Sequence, residues 1–126
     1  MSNAQASAPE AHINTAAALE LLGGDMELYH DLLKDYIAAL PADINDVYTL
    51  EQADADAAAR LVHRIKGSSL QAGAEALGAA GQALEDALRH RTCGSLTALT
   101  DAFVAEYRAT VEEAMRLMTA MERPHV

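Results

Sequence analysis

The sequence predicts an all-α fold, an antiparallel up-down four-helix bundle with a short extra helix at its N-terminal end. Three observations lead there. Hydrophobic residues make up 51% of the 126-residue chain but aromatic residues only 4%, so alanine and leucine carry much of the apolar content, as in closely packed helices. Apolar residues recur at i, i+3, i+4 and i+7 in one segment after another, the period of a helix with one buried face. The breaks between segments are short and hold Gly, Pro, Asp or Ser, which suits turns between antiparallel neighbours. The length is that of one domain.

Residues 1–12 carry Ala, Ser, Gln and Pro with no apolar period and are predicted to be a disordered lead or linker, with His12 inert. The bundle is predicted over 13–122, and 123–126 are a tail. Asn14 or Thr15 caps a short helix that ends at Gly23-Gly24. Asp25 caps the next, whose buried side is Leu28, Leu32, Leu33, Tyr36, Ile37 and Leu40. Pro41 must break, kink or restart it, and Ile44, Val47 and Leu50 carry the period to about Gln52. Tyr29 and Tyr36 are expected to pack with wet hydroxyls, and His30 to lie at the surface. Asp54 or Asp56 caps a helix ending near Ala72-Gly73. The following one starts by Ala74-Glu75, runs to about Arg91 and has Leu77, Ala80, Gly81, Leu84 and Leu88 as its stripe. Gly81 suggests a close helix contact there, and Arg89 and Arg91 complement the helix dipole. Thr92-Cys93-Gly94-Ser95 reads as a turn with Ser95 as cap. The last helix, from Leu96 to about Met121, places Leu99, Phe103, Tyr107, Val111, Met115 and Met118 on its stripe.

The helix before Gly73 holds the residues with chemistry. Its stripe is Ala58, Leu61, Val62, Ile65, Ser69 and Ala72, and at about 100° per residue His63, Gly67 and Leu70 face the other way, with Lys66 on the flank. An exposed imidazole titrates near 6.5 when unperturbed and is a usable nucleophile at neutral pH. Lys66 can neutralise a phosphoryl group carried on the ring. Gly67 inside a helix costs about 1 kcal/mol relative to Ala, and its missing side chain leaves room for another molecule beside His63.

His63-x-x-Lys66-Gly67-Ser68-Ser69, followed by Gly73-Ala74, resembles the signature of the histidine-containing phosphotransfer (HPt) domain, and the likeness spans Ala58–Leu88. That resemblance implies the same helical bundle with the active histidine exposed midway along one helix. It implies a phosphocarrier in which His63 accepts a phosphoryl group from, and returns it to, an aspartate of a receiver domain. The chain then needs no cofactor of its own, because the receiver brings the Mg²⁺ and most catalytic groups. Related readings are the phosphoacceptor domain of a chemotaxis kinase and a bundle that only binds protein partners.

Geometry adds a neighbour. His63 lies about 15 Å before the turn at Gly73, and an antiparallel helix returns to that height near Gln82 to Asp86. Rotation favours Glu85 as the side chain reaching the ring, where it would orient one ring nitrogen, while a carboxylate too close would repel a phosphoryl group. The resemblance implies a glutamine or other polar group near this place, hydrogen-bonding the imidazole, and Glu85 departs from a glutamine there. Leu70, on the His63 face, is a candidate docking contact for the partner.

Composition narrows the function classes. A net charge of −10 disfavours nucleic acid and anionic membrane surfaces and leaves proteins as partners. The lone Cys93 permits no internal disulfide and, with no apolar run near 18 residues and no signal-peptide pattern, suits the cytoplasm. The five histidines share no i, i+4 pair, so no metal site is predicted. Neither Gly-x-x-x-x-Gly-Lys-Ser/Thr nor Gly-x-Gly-x-x-Gly occurs, so the chain is expected to carry phosphate without being a kinase.

Overall fold

Side-chain acceptors set where the helices begin. Asn14, Asp25, Asp54 and Ser95 each accept the backbone N–H three residues on, from Ala17, Leu28, Ala57 and Ala98, at 3.0–3.1 Å. Asp25 and Ser95 are the caps expected, and of the paired candidates Asn14 caps rather than Thr15 and Asp54 rather than Asp56; each satisfies a donor the first helical turn leaves open. In the computed structural model, which describes residues 12–90 and 95–122, these caps and the intervening breaks delimit six helices. They are α1 Thr15–Leu21, α2 Met26–Ala38, α3 Asp46–Ala53, α4 Ala55–Gln71, α5 Glu75–His90 and α6 Leu96–Glu122. The fold is all-α as predicted, with no strand among the described residues.

Pro41 divides the predicted second helix into α2 and α3. Both run along α6 in the opposite sense: His30 Nε2 is 2.7 Å from Glu122, and further on Tyr48 bonds Asp101 and Thr100 bonds Glu51. Together α2 and α3 fill the place of one bundle helix, beside α4, α5 and α6, and α1 is the extra piece. The turn between α4 and α5 fixes an antiparallel register in which His63 faces Glu85, Lys66 faces Gln82 and Leu70 faces Gly78. Gly73 makes that turn at φ +92°, where its carbonyl accepts from the Asn14 N–H at 2.7 Å. A Cβ on Gly73 would stand 2.8 Å from the Asn14 carbonyl oxygen, so the start of α1 closes over the hairpin only because the residue is glycine. At Gly81 a Cβ would be 3.2 Å from that of Lys66 and 3.4 Å from the Phe103 ring, the close approach its position suggested.

Tyr29, Leu33, Val47, Val62, Leu77 and Phe103 lie at the centre of the core, removed from solvent. Three expectations change here. Leu28 is exposed, because the buried row of α2 is Tyr29, Leu33 and Tyr36, spaced i, i+4, i+7, which turns Leu28 outward. The tyrosine hydroxyls are dry: Tyr29 donates to the Ala72 carbonyl at 3.1 Å, and Tyr36 and Ser69 share a 2.7 Å hydrogen bond, so α2 is tied to α4 by polar contacts inside the core. Met115 is exposed, since the buried side of α6 there is Thr110 and Ala114.

His12 is also engaged. Its ring Nδ1 is 2.6 Å from Glu106, and the backbone N–H groups of His12 and Ile13 both donate to Glu113 at 3.1 Å. His30 is half-buried against Glu122. Residues 1–11, Arg91, the Thr92-Cys93-Gly94 part of the predicted turn and the 123–126 tail lie outside the described residues. Among the described residues no helix is long and apolar enough to cross a membrane.

Candidate functional site

Helix α4 buries Ala58, Ala59, Val62, Ile65 and Ser69. That fixes its rotation and turns the opposite face, with His63, Gly67 and Leu70, towards solvent. The His63 side chain is 58% exposed, while that of Glu85, facing it from α5, is only 8% exposed. The ring Nδ1 is 3.0 and 3.1 Å from the two Glu85 oxygens.

Glu85 is held by three donors. Besides His63 it accepts from Arg89 Nε at 2.8 Å and from Lys66 Nζ at 3.1 Å. Burial alone would raise its pKa, but hydrogen bonds from Arg89, His63 and Lys66, together with the Lys66 charge, outweigh it and hold the carboxyl at about 2. Glu85 is therefore ionised at any physiological pH and has no proton to give. The hydrogen bond to His63 must use a proton on Nδ1, so the neutral ring carries its lone pair on Nε2. Nε2 has no hydrogen-bond partner among the described residues, and the side chain that carries it is more than half exposed.

Lys66 differs most from its expected setting. Its side chain is 15% exposed and Nζ donates to Glu85 and, at 2.8 Å, to Gln82 Oε1. Gln82 in turn donates to Asp86 at 2.8 Å. The lysine is thus a member of the network that fixes the carboxylate rather than an unattached cation beside the ring. Gly67 shows the reverse: a Cβ there would meet nothing within 4 Å, so no packing demand explains the glycine, and the space next to His63 is open. Leu70 is 48% exposed, and its Cδ2 reaches over Gly78, where any Cβ would collide with it. It covers a gap on α5 and still presents apolar surface beside the histidine.

His63, Lys66, Gly67, Glu85 and Leu70 are accordingly brought to one patch on the α4–α5 pair. Arg89 and Gln82 complete it without having been singled out for it. Arg89 had a signal, four residues after Glu85 on the same helix face, but its place near a helix end offered the dipole as a sufficient explanation. Among the described residues no group of three or more His, Cys, Asp or Glu side chains is placed to hold a metal ion.

A family model described as the Hpt domain matches residues 26–117, which takes in α2 to α5 and most of α6. The chain belongs to the Hpt family. Hpt domains carry phosphoryl groups through a histidine in phosphorelays, and interact there with receiver domains. Comparison with curated proteins and with solved structures found no match. In this Hpt domain every residue of the patch falls inside the matched span, and the glutamate facing the histidine is a feature of its own sequence.

Proposed function

We propose that His63 is the phosphoacceptor of this Hpt domain, exchanging a phosphoryl group with the aspartate of a receiver domain. The observation that carries the reading is an exposed ring anchored through Nδ1 to a buried, ionised carboxylate, which leaves Nε2 bare. In the forward step the Nε2 lone pair attacks the phosphorus of the receiver's phosphoaspartate. The N–P bond forms, the acyl O–P bond breaks, and the aspartate leaves as a carboxylate. The proton on Nδ1 stays where it is, and the positive charge that develops on the ring is met by Glu85. The reverse step returns the group to a receiver aspartate.

A carboxylate this near a phosphoryl group would repel it if uncompensated. Lys66 and Arg89 both pair with Glu85, so the carboxylate nearest the ring is met by two positive charges. Catalysis is then mainly positioning inside the complex, with Mg²⁺ and the remaining groups supplied by the receiver. The open flank at Gly67 and the half-exposed Leu70 are where the receiver's backbone and an apolar contact fit.

Two incubations test the reading. Radiolabelled ATP with Mg²⁺ alone should leave the chain unlabelled, whereas a phosphorylated receiver domain should label it. His63→Gln should abolish that label. Label gained from ATP alone would overturn the carrier assignment, and label that survives His63→Gln would reject His63 as the acceptor.

A further inference from the structure

The charge near His63 runs against that of the whole chain. The net charge is −10, yet between Asp56 and Glu75 the sequence carries Arg60, Arg64 and Lys66 and not one carboxylate. Lys66 is consumed by Glu85 and Gln82. Arg60 and Arg64 are not: both are exposed, and among the described residues neither guanidinium has an acidic partner within 4.0 Å. Asp56, four residues before Arg60, is close enough along the helix to pair with it but does not.

Their placement follows from helix rotation. Taking His63 as zero and about 100° per residue, Gly67 lies about 40° round, Arg60 about 60° and Arg64 about 100°. Arg64 therefore borders the open notch at Gly67 on the side away from α5, and Arg60 stands about one turn before His63 on that same side, while the Glu85 network borders His63 on the other side. A body that docks over His63 from this side covers both arginines. Exposed guanidiniums with no internal partner keep their full donor set and their field for that body.

We propose that Arg60 and Arg64 form the electrostatic docking edge of this surface and capture an acidic patch of the receiver domain beside its phosphoaspartate. The proposal rests on the phosphocarrier reading and names the chemistry of its partner. A partner acidic enough to hold a phosphoryl group and a divalent cation is repelled by a chain of net charge −10 at a distance. A local pair of unpaired cations at the point of entry offsets that repulsion and sets orientation. Rim charges of this kind act on encounter more than on the bound state, so their signature is a rate of association that depends on salt.

The test compares the parent with Arg60→Gln/Arg64→Gln and with Arg60→Lys/Arg64→Lys. The probe is a phosphorylated receiver domain selected for labelling the parent at His63. The double glutamine variant is expected to lower kcat/KM for transfer by about ten-fold at 50 mM NaCl, through KM, with kcat for transfer inside the saturated complex unchanged. The deficit should shrink to about two-fold or less at 500 mM NaCl, and the lysine variant should recover most of the low-salt rate. Equal kcat/KM for parent and glutamine variant at low salt, a deficit that persists undiminished at high salt, or a loss confined to kcat would overturn the proposal. Any of these outcomes leaves the parent labelled at His63 and so leaves the phosphocarrier reading standing. A parent that no receiver labels overturns that reading and this one with it.

Discussion

Replacing Glu85 by glutamine keeps the shape of the side chain and removes the charge that three donors converge on. In the folded chain the Glu85 carboxyl sits at about 2, against an ordinary value of 4.5. A gap of about 2.5 pH units at about 1.4 kcal/mol each gives an upper limit of about 3.5 kcal/mol for its contribution to stability. His63 and Arg89 are 58% and 40% exposed, and solvent screening at that rim reduces the figure to about 1–2 kcal/mol. The sign follows from the depressed value. The contribution is fully present above pH 4.5 and is lost as the pH falls through about 2, because the unfolded chain takes up its proton first. Urea unfolding followed by circular dichroism should show the parent more stable than Glu85→Gln at pH 5, with more than half of the difference gone by pH 3. A difference that stays constant between pH 5 and pH 3 would refute the reasoning. Nitrogen chemical shifts of the ring give a second check: neutral His63 in the parent should be the Nδ1–H tautomer, and Glu85→Gln should mix the two forms. A parent ring found as Nε2–H would show that the anchoring does not operate.

Gly67→Ala should raise the urea midpoint, by about 1 kcal/mol of stability, since the added Cβ meets nothing and alanine favours the helix; transfer from a receiver should slow at the same time, and a lowered midpoint would show that the notch serves packing. Gly73→Ala should cost about 2 kcal/mol or more, measured by thermal unfolding, because a φ of +92° strains an L side chain and the new Cβ would press on the Asn14 carbonyl; a variant of parental stability would mean that the α1 contact is dispensable.

How much of this was legible in the chain depended on the range of the signal. The caps at Asn14, Asp25, Asp54 and Ser95 are local, three-residue effects, and they set the helix starts the pattern indicated. The neighbour of His63 was legible because one turn at Gly73 fixes the register between α4 and α5, and counting residues out and back leads to Glu85. What lay beyond reach were contacts that no periodicity encodes. Tyr29 and Tyr36 carry their hydroxyls into the core because the Ala72 carbonyl and Ser69 on α4 are there to receive them, a match between segments over 30 residues apart. The clasp of His12 and Ile13 onto Glu106 and Glu113 spans about the whole bundle in sequence, and the N-terminal stretch shows no apolar period that would announce it. The fate of Lys66 was hidden for a different reason: position on the wheel shows which flank a lysine is on, but not that a carboxylate and an amide on the next helix wait within its reach.

That fate changes how the work of the surface is divided. A lysine three residues after the histidine invites the view that its charge is kept for the phosphoryl group. Here the charge is spent on holding a carboxylate that a glutamine would not need to have held, and Arg89 is drawn into the same task. The α5 side of His63 thereby becomes a closed, self-satisfied network whose effect on the ring is orientation. The other side keeps an open notch at Gly67 and two exposed arginines with no acidic partner among the described residues. The two sides make separable demands. The closed side should respond to the identity of residue 85 and to pH below 4.5, where Glu85 begins to lose its advantage. The open side should respond to salt and to the charge of residues 60 and 64, with no change in the ring's tautomer. If tautomer and salt dependence moved together under either perturbation, the histidine would not stand between two independent devices, and the division of labour drawn from Lys66 would fail with it.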